Sequence, residues 1–162
     1  MSTSMRSHTI SKKEAKAIML QISESWPFQS DYADIKESRI VEIEGKGELY
    51  VSEIFRAIKI DKIIIPFLQS EIVLKFPHVV VDSGAIKFVV NGADVMRPGI
   101  TSFPQKFLAG DIVIINEEKY GKSIAVGLAK IDDKTASNLS RGPVIQTLHY
   151  TGDKFWEIFK NM

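Results

Sequence analysis

Hydrophobic residues along this chain change their spacing near the middle, from helical intervals in the first half to short β-like runs in the second. Ser11-Lys12-Lys13-Glu14 has the spacing of a capping box, in which a serine hydroxyl and a glutamate carboxylate satisfy free amides of a new helix. Ala15, Ile18, Met19 and Ile22 follow at helical intervals and form one apolar stripe. Trp26-Pro27 stops that helix, because a proline disfavours helical geometry in the residue before it. Ile40, Val41, Ile43 and Val51 flank Gly45-Lys46-Gly47 and predict two strands joined by a glycine turn. Pro66 is placed to open another helix, where its missing amide hydrogen costs nothing. Phe67, Leu68, Ile72 and Val73 would line its buried side and Pro77 would close it.

Past Pro77 the chain becomes Val- and Ile-rich, and seven of its ten glycines lie between Gly84 and Gly142. Such punctuation predicts a β-rich unit. The boundary is expected near Phe76 to His78, giving a smaller α/β domain over residues 1–77 and a second domain over 78–162. Within the second, Val79 to Val81 reads as a strand, and Asp82 or Ser83 can cap a short helix whose Ile86, Val89 and Val90 share a face. Gly92 suits the left-handed position that ends it. Asp94 to Met96, Ile112 to Ile115, Ile124 to Lys130 and Val144 to Tyr150 are strand candidates, with a polar helix from about Asp132 to Leu139. Tyr120-Gly121-Lys122 turns between two of these strands.

Composition narrows the function classes. With 44% hydrophobic and 25% charged residues the chain can fold, and its longest apolar stretch, Ile63 to Leu68, is far short of the roughly 20 residues that cross a bilayer. No membrane role is expected. Met1 to Thr9 lacks the apolar core of a secretory signal, so a cytoplasmic protein is expected. The chain has no cysteine, which excludes disulfides and thiolate metal sites. Twenty-one Lys and Arg against twenty Asp and Glu leave a formal charge of +1, so any contact with nucleic acid must come from a local patch.

An ordered set of short matches makes the second half resemble the PUA domain, a module named from pseudouridine synthases and archaeosine transglycosylases. The residues concerned are Val81 to Ala85, Asn91 to Val95, Pro98 to Ile100, Phe107 to Val113 and Ile124 to Ala129, with Gly142, His149 and Trp156 in the tail. A closer likeness, through Phe76-Pro77-His78, Val81-Asp82, Gly84 to Val89, Gly92-Ala93, Met96, Pro98-Gly99, His149-Tyr150 and Trp156, is to the malignant T-cell-amplified sequence proteins and the N-terminal part of ligatin. The resemblance implies an α+β chain with a C-terminal β pseudo-barrel carrying short helices, preceded by a distinct N-terminal domain. It implies a non-catalytic translation factor that acts at the small ribosomal subunit, handling tRNA in initiation, reinitiation or recycling, beside a SUI1-domain partner.

PUA domains grip RNA, ribosomal or transfer, with the first helix, the loop before it and the following strand. Here that surface would hold Ser83, Gly84, Lys87, Asn91, Arg97 and Gly99. Lys87 and Arg97 can supply phosphate charge, Ser83 and Asn91 can hydrogen-bond sugar or base edges, and glycines admit a strand close to the backbone. Against this stand ordinary structural roles: turn geometry for the three glycines Gly84, Gly92 and Gly99, a solvated helix face for Lys87, and pairing of Arg97 with Asp94. Phe88, Phe103, Phe107 and Trp156 read as mainly core, since aromatics among Val and Ile usually are.

Gly121-Lys122-Ser123 echoes a phosphate-binding loop, but Asn116 replaces its leading glycine and strands flank it, so a hairpin turn is expected. His8, His78 and His149 are too far apart for a local metal motif, and no nucleophile elbow occurs. No catalytic residue, metal or cofactor is therefore nominated. Two other readings remain: a subunit that presents tRNA or rRNA to a separate modification enzyme, and a protein-interaction adaptor.

Overall fold

A computed structural model describes residues 5–162, which form two compact units divided between Lys75 and Phe76. Among the described residues no helix is long and apolar enough to cross a membrane.

The first unit is a five-stranded antiparallel meander with two helices. Its strands are β1 (Met5–Thr9), β2 (Arg39–Ile43), β3 (Gly47–Val51), β4 (Arg56–Ile60) and β5 (Ile63–Pro66), hydrogen-bonded in that order. Helix α1 (Lys12–Ser25) opens on the expected capping box: the Glu14 amide donates to Ser11 Oγ at 3.1 Å, and the Ser11 amide donates to Glu14 Oε1 at 2.9 Å. Ala15, Ile18 and Ile22 of its stripe are buried, and Trp26, in extended geometry, ends it and donates its indole N–H to the Ile64 carbonyl at 2.8 Å. A short helix, α2 (Tyr32–Lys36), follows, capped by Asp31. The β2–β3 turn requires glycine at 47, because a Cβ there would stand 2.1 Å from the Lys59 carbonyl oxygen and φ is +145°.

The helix expected from Pro66 does not form. Pro66 instead ends β5, an edge strand paired with β4 from Ile60↔Ile63 to Ala57↔Pro66. The β-branched run Ile63-Ile64-Ile65 gains more as a strand packed on the core than as a helix start, and the sheet edge tolerates a proline without an amide hydrogen. Only a 3-10 turn, Glu71–Lys75, follows.

In the second unit the strands are β6 (His78–Val81), β7 (Val95–Met96), β8 (Ile100–Ser102), β9 (Ile112–Glu117), β10 (Ser123–Ala129) and β11 (Pro143–Tyr150). The helices are α3 (Ser83–Val89), α4 (Asp133–Ser137) and α5 (Lys154–Lys160). The sheet order is β7-β11-β10-β9-β6-β8, antiparallel except for β6 beside β9. The two edge strands, β7 and β8, are consecutive in the chain and joined by the 3-10 turn Arg97–Gly99, so the sheet curls into a nearly closed barrel. Its interior holds Val79, Val81, Val113, Ile115, Ala125 and Ile145, all 0% exposed. A register shift at Val126/Gly127 bends β10 against β11; a side chain at Gly127 would meet the Gln146 carbonyl at 2.3 Å, so only glycine fits this bulge. The architecture is the α+β pseudo-barrel with short helices that the resemblance implies.

Candidate nucleic-acid interface

Helix α3 starts where β6 ends, and Asp82 fixes the junction. Its carboxylate accepts from the Ala85 amide at 2.9 Å, satisfying a donor that the first helical turn leaves unpaired. The apolar stripe turns inward, with Val89 buried and Ile86 and Val90 packed against the barrel core. Gly92, at φ +91°, ends the helix in the left-handed region, as its position after the stripe predicts. The opposite side of α3 faces solvent and carries Ser83, Gly84, Lys87 and Phe88, with exposed Asn91 following in the turn after the helix. Spacings of four residues, 83 to 87 and 84 to 88, arrange the helical four in two neighbouring rows.

The face is preorganised from within. Asn91 donates its side-chain N–H to the Lys87 carbonyl at 2.7 Å, and the Lys87 ammonium rests 5.1 Å from the centroid of the Phe88 ring. Lys87 makes no ion pair among the described residues. Gly84 has neither a positive φ nor a crowded surrounding; a Cβ there would meet only Asp82 Oδ1, at 3.4 Å. Because helical side chains lean toward the N-terminus, bare backbone at 84 leaves open space beside Phe88, one turn away.

Gly99 packs beneath this face, and Arg97 lies in the same 3-10 turn. The Asp82 amide donates to the Gly99 carbonyl at 2.9 Å, and a Cβ on Gly99 would come within 3.0 Å of the Ala85 Cβ, so this glycine lets the 3-10 turn pack under α3. Arg97 is half-buried. Its Nη1 donates to the Ile100 carbonyl at 2.9 Å, its Nη2 reaches the Ser137 carbonyl at 3.5 Å, and the guanidinium lies 5.1 Å from the Phe103 ring. Asp94, the carboxylate considered for it, instead pairs with Lys130 at 2.9 Å. Of the six expected contact residues, Ser83, Gly84, Lys87 and Asn91 share the exposed face, Gly99 packs under α3, and Arg97 bonds to the Ile100 and Ser137 carbonyls beside Phe103.

The aromatic residues divide unevenly. Phe107 is buried, Phe103 packs partly buried 6.3 Å from it, and Trp156 is half-buried with its amide held by Asp153. Phe88 departs from the core role expected of it and is 58% exposed. The reason is helical phase: with Ile86, Val89 and Val90 directed inward, position 88 lies on the other side of α3, and its local propensity for burial is overridden. The same stripe, read in the sequence, carried that signal.

The three histidines have separate occupations. His8 pairs with Glu14 at 3.0 Å, buried His149 with Asp153 at 2.7 Å, and His78 donates its backbone amide to Gln105 Oε1 at 3.0 Å.

The barrel and the α3 face together define a PUA-domain protein, and the PUA domain family matches residues 77–151. Over 135 residues the chain is 36% identical to Translation machinery-associated protein 20 of Saccharomyces cerevisiae, covering 75% of this chain and 73% of that one. It is 35% identical over 85 residues to human Malignant T-cell-amplified sequence 2, covering 51% and 47% of the two chains. Among solved structures, a hypothetical protein of Pyrococcus horikoshii superposes with a TM-score of 0.74 at 29% identity, covering 94% of this chain and 99% of that chain. The chain belongs to the family of PUA-domain proteins that includes Translation machinery-associated protein 20 and the malignant T-cell-amplified sequence proteins.

Proposed function

We propose that this protein binds RNA in translation, as a binding factor and not a catalyst, through the exposed face of α3. The observation that carries the reading is the grouping of Ser83, Gly84, Lys87 and Phe88 on one solvent-facing side of a helix anchored by Asp82 and Gly99, with Asn91 exposed in the turn that follows it. Lys87 meets a phosphate, Ser83 and Asn91 reach sugar or base edges, and the bare backbone at Gly84 admits the strand beside Phe88. Family membership supports translation as the setting. Within it, the small ribosomal subunit and a tRNA are the proposed ligands, in initiation, reinitiation or recycling, with a SUI1-domain protein as a candidate partner. Cosedimentation with purified small subunits and filter binding to tRNA across a salt series test this. Salt-sensitive binding that weakens in Lys87→Ala is the expected result. Absence of binding to either RNA at low salt would overturn the reading.

A further inference from the structure

The hairpin between β9 and β10 is built to hold its tip still. Glu117, at the end of β9, is 6% exposed, and its carboxylate accepts three backbone amides: Lys119 at 2.9 Å, Tyr120 at 2.8 Å and Lys122 at 2.9 Å. The Glu117 main chain adds two bonds, donating to the Lys122 carbonyl at 2.9 Å and accepting from the Gly121 amide at 3.1 Å. At the base of the turn Ser123 Oγ donates to Asn116 Oδ1 at 2.7 Å, across the strand pair. Gly121, at φ +68°, takes the left-handed position that closes the loop.

What this scaffold presents is an aromatic ring between two cations. Tyr120 is 80% exposed, the most exposed of the large aromatic side chains, and the Lys119 ammonium lies 5.2 Å from its ring centroid. Lys119 and Lys122 are both exposed and make no ion pair among the described residues; Glu118 is the one exposed carboxylate in the turn. A large ring held in water by a rigid turn gains nothing for folding, and its flanking charge suits a polyanion with flat, stackable groups. The tip also adjoins the proposed RNA face, because the Glu118 amide donates to the Val81 carbonyl at 3.0 Å, two residues before α3 begins at Ser83.

We propose that the β9–β10 tip, Lys119 to Lys122, is a second contact for RNA, in which Tyr120 stacks on an unpaired nucleobase while Lys119 and Lys122 meet the adjoining phosphates. This rests on the RNA-binding reading of α3 and adds a residue set outside it. Stacking of one base on an aromatic ring, with lysines beside it, is tolerant of sequence, so the tip selects unpaired nucleotides over duplex.

The test compares three RNAs of one stem sequence: blunt with a tight loop, with a single-stranded 3′ overhang, and with a large unpaired loop. Tyr120→Ala is expected to weaken binding of the overhang or open-loop RNA about tenfold and to leave the blunt stem unchanged, with the affected arm revealing where the unpaired base comes from. Tyr120→Phe keeps the ring and should bind as the native protein does, whereas Lys119→Ala and Lys122→Ala should each lower the salt dependence. The inference fails if Tyr120→Ala binds all three RNAs normally while Lys87→Ala still weakens them; the α3 reading then stands, and the ring belongs to a protein contact. If the native protein binds none of the three, both readings fall together.

Discussion

Nδ1 of His149 and Oδ2 of Asp153 lie 2.7 Å apart inside the second unit, where His149 has no contact with solvent. The same carboxylate accepts the Tyr150 amide at 3.0 Å through Oδ2 and caps α5 by accepting the Trp156 amide at 2.9 Å through Oδ1. One side chain therefore joins the last strand, a buried imidazole and the last helix.

Removing it takes one partner from the buried His149 ring and from the part-buried amides of Tyr150 and Trp156. Asp153→Ala is expected to lower stability by about 3 kcal/mol, combining a broken buried pair with a lost helix cap. Asp153→Asn, which keeps an acceptor for the cap, should lose less. Urea unfolding followed by circular dichroism measures both.

Gly84 and Gly47 are expected to respond oppositely to the same substitution. Gly84→Ala meets no clash and lies in a helix, so stability should rise by up to about 0.5 kcal/mol while affinity for RNA falls, because a methyl group occupies the space beside Phe88. Gly47→Ala would drive a Cβ into the Lys59 carbonyl at φ +145°, and should cost more than about 2 kcal/mol. Thermal melts alongside filter binding separate the two cases.

Lys87 and Arg97 should differ in kind. Lys87→Ala is expected to weaken RNA binding across sequences and to reduce the salt slope by about 1, the loss of one phosphate contact. Arg97→Ala removes the hydrogen bond to the Ile100 carbonyl and the packing on Phe103, so its main effect should be a stability loss of about 1–2 kcal/mol. Binding isotherms at several salt concentrations, paired with denaturation curves, check this.

Acid should loosen the β9–β10 tip late. The Lys122 amide does most to hold the Glu117 carboxyl below its ordinary range; desolvation opposes it, and the amides of Tyr120 and Lys119 add to the lowering. A carboxylate depressed in the folded state contributes stability that is full above its unfolded value and is lost as pH falls through the folded one. The amide signals of Lys119, Tyr120 and Lys122 should therefore stay in place as pH falls through the ordinary glutamate range and shift only below it. Glu117→Gln, which cannot titrate, should abolish that acid transition in two-dimensional NMR spectra.

Much of the site could be read in the sequence because its determinants are local. Asp82 three residues before Ala85, the stripe of Ile86, Val89 and Val90, and Gly92 after them specify α3 and, by helical phase, the side that faces solvent. Phe88 was present in that pattern, and only the general tendency of aromatics to be buried pointed the other way. Arg97 could not be judged in the same manner, since its partners at Ile100 and Ser137 are set by the curl of the barrel.

The amino-acid order alone determines the capping box of α1, the glycine turn between β2 and β3, the length of α3 and the family likeness of the second unit, since each depends on residues a few positions apart. Tertiary structure decides that Pro66 ends a strand, that the parallel pairing of β6 with β9 sets Glu118 beside Val81, and that Arg97 bonds to the Ile100 and Ser137 carbonyls. These outcomes hang on strands separated by long stretches of chain, where the summed burial of the core outweighs any single residue's preference.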